Sequence, residues 1–327
     1  MGGDRVRWGI LGAARIAVRR VLPALLRSER SAVVAIASRD RDRATDTAQQ
    51  FQIPKVHPSY DALLADPEVD AVYNPLPNSL HHLWTLRSAE AGKHVLCEKP
   101  LALNAREAQQ MVEVCRRRGV LLQEAFMYRF HPQTERLQEL VGSGEIGTPW
   151  LVRSAFTFLV ATDEDIRLNP ELGGGGLMDV GCYCVNIGRL LFGEPHTAFA
   201  ASNIEGGVDV RLAGLLRFGG DRVAEFDCGV RAPFRQFCEV VGASGSIMVE
   251  RPFQPEERPA SLLIRRGDQE RRVEIPGTNQ YVRMIAHFVD CVLSQRPPRY
   301  PPEDAVANMR VIDALRESAK SGQTVGL

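Results

Sequence analysis

The sequence predicts an α/β domain on a doubly wound parallel sheet, followed by an α+β domain whose open-faced, predominantly antiparallel sheet carries helices on one face. Three observations predict it. Short apolar runs alternate with helical patterns from residue 6 to residue 123, the pattern of a parallel sheet covered on both sides. Beyond residue 207 strands follow one another directly, as antiparallel sheets do. The chain has 327 residues, more than one ordinary core organises. The division expected is 1–126 and 127–327.

In the first part, residues 6–11, 33–37, 69–73, 94–97 and 120–123 read as strands, and 16–26, 41–51, 60–64, 80–91 and 105–118 as helices. In the second, a helix at 132–141 precedes strands at 150–159, 208–218, 223–230, 237–241, 246–249, 262–265 and 271–275. Phe-Gly-Gly-Asp-Arg (218–222) and Arg-Arg-Gly-Asp-Gln (265–269) have the composition of hairpin turns. Helices at 279–293 and 302–318 close the chain.

Forty basic residues balance forty acidic ones. The zero net charge speaks against a general nucleic-acid binder. Seven scattered cysteines, an odd number, argue against a disulfide scaffold and for a reducing cytoplasm. Cys182 and Cys184 lack a second ligand pair at finger spacing, so no metal site is expected. Nothing reads as a secretory signal or as a membrane span.

Gly-Ile-Leu-Gly-Ala-Ala-Arg-Ile-Ala (9–17) leaves the first strand and opens the first helix. That is the context of the G-x-G-x-x-G/A pyrophosphate fingerprint of a Rossmann domain. Gly12 takes the tight-turn position and Ala17 the helix-packing position; Ala14 replaces the second glycine and crowds the phosphate approach. Gly12, Ala13, Ala14, Arg15 and Ile16 are therefore candidate cofactor contacts, through amides at a helix start. After the second strand, where an acid would hold the ribose of NAD, stand Ser38 and Arg39, followed by Arg41 and Arg43. A hydroxyl and a guanidinium fit the 2′-phosphate of NADP, with NAD still open because Asp40 intervenes.

Glu98-Lys99 follows a buried strand and precedes Pro100. Open α/β sheets bind ligands at this carboxyl edge, so the pair is a site candidate. Together, "GILGAARIA", "LPNSLHH" and "GKHVLCEKPLAL" resemble the Gfo/Idh/MocA (glucose–fructose oxidoreductase / inositol dehydrogenase) family, nearest to NADP-dependent aldose and dihydrodiol dehydrogenases. The resemblance implies that Lys99 is the family's catalytic lysine and that Leu76, Pro77, Asn78, His81 and Glu98 flank the cofactor. His81 and His82 otherwise read as cap or packing residues. Arg129, in "EAFMYRFHP", lines the nicotinamide or substrate pocket or is a buried structural arginine; both readings stand.

"ELGGGGLMDVGCYCVNIGRLLFGEP" (171–195) leads four glycines into a helical pattern. Asp179 suits a helix start by capping and dipole, and Tyr183 lies four residues later on the same face. Family members often carry D-x-x-x-H here. With tyrosine last, as in the glucose–fructose and dihydrodiol branches, Tyr183 corresponds to the proton donor and acceptor. A free tyrosine titrates near pH ~10, and a neighbouring ammonium lowers that value. Lys99 supplies the ammonium if the two domains face one crevice. Arg167 and Asn186 are weaker candidates.

The expected function is an NADP-dependent oxidoreductase that passes a hydride between nicotinamide and a sugar, polyol or related hydroxyl/carbonyl substrate. A catalytically silent NADP sensor and an NAD-dependent glycosidase of the same fold remain open. A homodimer or homotetramer is expected through the second sheet, whose outward positions would include Leu215, Phe226 and Val240.

Overall fold

The computed structural model describes residues 4–327, and every element named below lies within them. Two units emerge. One holds the chain through Met127 together with Tyr281–Val306; the other holds Tyr128–Gln280 and Ala307–Leu327. The division drawn from sequence places residues 281–306 in the second part, and the structure packs them with the first. The cause is an apolar face: Met284, Ile285, Phe288 and Val289 are buried, and the Phe288 ring lies 5.0 Å from that of Trp8. Such an aromatic pair contributes about 0.5–1.5 kcal/mol beyond its area burial.

The first unit alternates strands and helices: β1 (Val6–Leu11), a π-helical turn (Ala17–Val21) running into α1 (Leu22–Leu26), β2 (Ser31–Ala37), α2 (Arg41–Phe51), β3 (Lys55–His57), α3 (Tyr60–Leu64), β4 (Ala71–Asn74), α4 (Asn78–Glu90), β5 (His94–Cys97), α5 (Ala105–Arg118) and β6 (Leu122–Glu124). The strands pair in the order β3-β2-β1-β4-β5-β6, all parallel. Strand β3, unexpected from sequence, is three half-buried residues with no apolar run. The strand order reverses between β1 and β4, so a crevice opens at their carboxyl ends. The amino-terminal edge is closed instead: Lys93 Nζ donates to the carbonyls of Asp66 (2.8 Å) and Val69 (2.7 Å), and Arg7 pairs with Asp70 at 2.7 Å.

The second unit contributes α6 (Pro132–Gly142), β7 (Pro149–Leu159), a π-helical turn (Leu177–Gly181) continuing as α7 (Cys182–Phe192), then β8 (Thr197–Glu205), β9 (Val208–Arg217), β10 (Val223–Gly229), β11 (Arg231–Gly242), β12 (Ser246–Val249), β13 (Ala260–Arg266) and β14 (Gln269–Ile275). After α8 (Gln280–Ser294) and α9 (Pro302–Ser321), β15 (Val325–Gly326) adds an edge. The nine strands run β14-β13-β12-β11-β7-β10-β9-β8-β15, antiparallel except β7 with β10. Both expected hairpins form, between β9 and β10 and between β13 and β14. Strand β8 escapes the sequence reading because its residues are small or polar, with Phe199 and Ile204 exposed.

Helix α7 packs on β7 and β10. The parity of the strands corrects one expectation: Phe226 is 5% exposed and Val240 0%, whereas Leu215 is 37% exposed. Leu215 pairs across with Glu225, Glu225 with Arg153, and Arg153 with Glu239, so the outward row passes one residue away from Phe226 and Val240. All seven cysteines are buried and none forms a disulfide. Among the described residues no helix is long and apolar enough to cross a membrane.

Candidate functional site

The turn after β1 is built for an anion. Gly12 has φ +95°, a conformation open to glycine, and its amide donates to the Ala37 carbonyl at 2.6 Å. The helical turn opens at Arg15, so the amides of the following residues point out of a helix start. Arg15 is exposed, Ala14 and Ile16 are half-buried, and Ala13 is buried.

The loop after β2 lies beside that turn. Asp40, the residue that complicates an NADP reading, is the N-cap of α2: its Oδ1 accepts from the Arg43 amide at 3.0 Å. Its carboxylate is thus engaged by a helix end. Ser38 Oγ accepts from the Asp40 amide at 3.2 Å, and Arg39 is exposed. Arg43, which in sequence is only one more member of the basic run, extends Nη2 to the Ala13 carbonyl at 2.8 Å. It therefore spans from α2 to the fingerprint turn.

The loops after β4 and β5 complete the edge. Pro77 and Asn78 are half-buried at the start of α4, next to buried Leu76. Lys99 is half-buried just past β5, joined to Pro100 by a cis bond. Glu98 is buried, and Tyr73 Oη donates to its Oε1 at 2.6 Å. Burial first, and then the Glu98 carboxylate, push the Tyr73 phenol well up, so it stays a donor. His81, expected beside the cofactor, is instead fully buried: Nδ1 lies 2.9 Å from the Pro100 carbonyl and Nε2 2.8 Å from the Leu76 carbonyl. Burial lowers this imidazole to about 4, the carbonyls partly opposing, so the ring is neutral, has one N–H and donates to one of the two carbonyls it lies between.

In the second unit, Tyr183 opens α7 and is 3% exposed. Its ring sits among Tyr128, Phe156 and Phe253, with centroids 5.8, 5.4 and 5.3 Å away. Asp179 is not the helix cap. It lies inside the preceding π-helical turn, and its Oδ2 accepts from Arg167 Nε at 2.7 Å. The Leu177 amide at the head of that turn donates to Asp209 Oδ2 instead, at 2.6 Å. Arg129 is 4% exposed, and its Nε donates to Asn186 Oδ1 at 2.7 Å, a contact that a structural arginine makes. Asn186 also accepts from Tyr128 Oη at 2.6 Å and donates to Asn308 at 3.3 Å. Among the described residues no cluster of His, Cys, Asp or Glu could hold a metal ion.

A parallel sheet with a glycine turn at its switch point and charged loops along one edge defines a dinucleotide-binding unit. Comparison with known proteins specifies it further. Residues 6–126 match the oxidoreductase family with an NAD-binding Rossmann fold, and residues 134–248 match the GFO/IDH/MocA C-terminal domain. The chain belongs to the Gfo/Idh/MocA oxidoreductase family. It is 42% identical over 324 residues to D-xylose 1-dehydrogenase (NADP(+)) 2 of Haloferax volcanii, covering 98% of this chain and 99% of that protein. It is 37% identical over 262 residues to the mouse trans-1,2-dihydrobenzene-1,2-diol dehydrogenase, 77% of each chain. The crystal structure of a 3-ketoreductase from Actinomadura kijaniata with NADP and TDP-benzene superposes with a TM-score of 0.93 at 34% identity, over 96% of this chain and 98% of that one. Two single variants of that reductase, one with a lysine replaced by alanine and the other with a tyrosine replaced by phenylalanine, have also been solved with NADP and TDP-benzene.

Proposed function

We propose that this chain is an NADP-dependent oxidoreductase acting on CH–OH groups of a sugar, polyol or related hydroxyl/carbonyl compound, with Lys99 and Tyr183 moving the proton. The observation that carries the reading is Lys99 standing half-buried at the carboxyl end of β5, two strands from the Gly12 turn. The named relatives support the cofactor and the substrate class.

The chain's residues fit NADP. The fingerprint turn from Gly12 to Ile16 offers amides to the pyrophosphate, and Leu76, Pro77 and Asn78 line the adjoining loop. Ser38, Arg39 and Arg43 face the adenosine end without a competing acid, because the carboxylate of Asp40 caps α2. Bound nicotinamide supplies the hydride chemistry. Tyr183 takes or gives the hydroxyl proton, Lys99 holds positive charge beside the oxygen that changes charge, and Arg167 fixes Asp179. Glu98, braced by Tyr73, holds the start of the Lys99 loop.

Turnover tests the reading: nicotinamide absorbance is followed with NADP or NADPH and a panel of aldoses, polyols, dihydrodiols and ketosugars. Net turnover on one class is expected; tight cofactor binding with no turnover on any would favour a sensor, and NAD retained through purification would favour a glycosidase.

The two arginines separate the cofactors. Arg39→Ala is expected to weaken NADPH binding by about 10- to 100-fold, the worth of one charge-assisted hydrogen bond, and to leave NADH binding unchanged. Arg43→Ala is expected to weaken both, because Arg43 also holds the Ala13 carbonyl of the fingerprint turn. Fluorescence titration with the two reduced cofactors reads the difference.

The open sheet is proposed to pair with another copy of the chain. Its outward row places Phe199 and Leu215 on one side of the Glu225–Arg153–Glu239 ion pairs and Met248 and Leu263 on the other. Light scattering is expected to give a dimer or tetramer, and Leu215→Glu to shift it toward monomer. Buried cysteines that form no disulfide fit a reducing cytoplasm.

A further inference from the structure

We propose that Asp209 is a positioning residue of the active site, its carboxylate setting the turn that carries Asp179 and leads to Tyr183. The proposal rests on the catalytic reading of Tyr183.

Three of the four glycines ahead of α7 find their reason in this turn. The amide of Gly175 donates to the Arg167 carbonyl at 2.8 Å, and its carbonyl accepts from the Asp179 amide at 3.0 Å. A Cβ on Gly174 would stand 2.5 Å from the Arg167 carbonyl oxygen. Gly175 has φ +119°, and a Cβ there would collide with Asp209 Oδ1. A Cβ on Gly176 would stand 3.1 Å from Gly229 Cα and 3.3 Å from Asp209 Oδ2. Side chains are missing at these positions because backbone and carboxylate occupy the space.

Asp209 reaches this loop from the start of β9. There the pairing with β8 slips: Ile204 faces Asp209 while Asn203 faces Arg211, which leaves Val210 as one extra residue in β9. Such a bulge re-aims a side chain, and bulges gather beside active sites. The result is a carboxylate that accepts from the Leu177 amide, beside Gly176, at the head of a π-helical turn, with no side chain of the turn itself acting as cap.

This carboxylate is held against its own preference. Desolvation raises it to about 6, although the Leu177 and Gly176 amides and the Arg316 guanidinium on α9 pull the other way; on β10, the Cys228 thiol also feels its charge. A carboxyl whose pKa is raised on folding contributes stability below about pH 4 and loses it as the pH rises through about 6. The ionised form, the better acceptor for the Leu177 amide, therefore weakens the fold while it fixes the turn. A cap kept for stability alone would show the opposite sign.

Asp209→Asn tests this. The change keeps the size and one acceptor and removes the charge. Expected are a fall in kcat of about tenfold, since charge-assisted hydrogen bonds are roughly twice as strong as neutral ones, and a faster-exchanging Leu177 amide. NADPH binding by the first unit is expected unchanged, and chemical stability at neutral pH equal to the parent or higher. In the parent, kcat is expected to fall as the pH drops through about 6, and in Asp209→Asn that limb is absent. Gly175→Ala presses on the same carboxylate from the other side and is expected to lower kcat with NADPH binding kept. Unchanged kcat in both variants would overturn the proposal, and so would a kcat loss that merely follows lost stability. Should Lys99→Ala and Tyr183→Phe keep full activity, the catalytic reading itself fails, whatever Asp209→Asn does.

Discussion

Lys99→Ala is expected to lose about a thousandfold in kcat, within the ~10²–10⁴ range of a positioned proton-transfer group, while binding NADPH as the parent does. The lysine stands at the carboxyl end of β5, on the sheet edge that holds the fingerprint turn. Its backbone is fixed independently of its side chain: the Glu98 amide donates to the Asn74 carbonyl at 3.0 Å, and Glu98 is bonded to Tyr73. Truncation at Cβ therefore removes the ammonium and leaves the loop in place. Cofactor affinity is expected to reside in the turns after β1, β2 and β4, which Lys99 does not build. Lys99→Arg keeps the charge but not its placement, because a planar, delocalised guanidinium replaces a compact ammonium. It is expected to recover less than a tenth of the parent rate. Stopped-flow measurement of the single-turnover rate, with NADPH affinity measured in parallel, reads both quantities. A near-parent rate in the alanine variant would remove Lys99 from the chemistry.

What is legible in the sequence follows from range. The alternation of apolar strands and helices is local, and it yields the parallel sheet with its carboxyl-edge loops. Gly12 is legible because a tight turn demands a residue free at positive φ. Residues whose meaning depends on distant partners are not. Arg129 looks the same in sequence whether it faces a pocket or Asn186, fifty-seven positions later. His81 gives no sign that its ring lies between the Leu76 and Pro100 carbonyls. An amphipathic helix at 280–294 announces an apolar face but not which core receives it, so its packing in the first unit is invisible at that level. Parity in the second sheet is a different case: in β10, Ala224, Phe226 and Cys228 alternate with Glu225 and Asp227, so the sequence itself assigns Phe226 to the buried face, against the outward position expected for it. Asp179 reads as a cap because helix starts are placed at the first apolar repeat. The actual start lies at Gly176, and the capping carboxylate arrives from another strand.

Tyr183→Phe is expected to lower kcat about a hundredfold to a thousandfold, the span of a lost general acid–base group, with little effect on folding. The ring environment separates these two effects. Tyr128, Phe156 and Phe253 surround the Tyr183 ring in tilted and edge-on contacts, and phenylalanine fills the same cage with the same faces. Those neighbours are themselves fixed: Phe156 stacks on Phe253 at 5.3 Å, and Tyr128 Oη is bonded to Asn186. The substitution therefore removes one oxygen and little else. A tyrosine kept for packing would give a variant of parent stability and parent rate. A tyrosine that moves the substrate proton gives parent stability, parent NADPH affinity and a collapsed rate. The pH profile adds a second readout, since a limb that belongs to the tyrosine disappears with its hydroxyl and a limb that belongs to Asp209 stays. Thermal unfolding beside single-turnover kinetics decides between them, and a variant that turns over at the parent rate would leave the proton without this carrier.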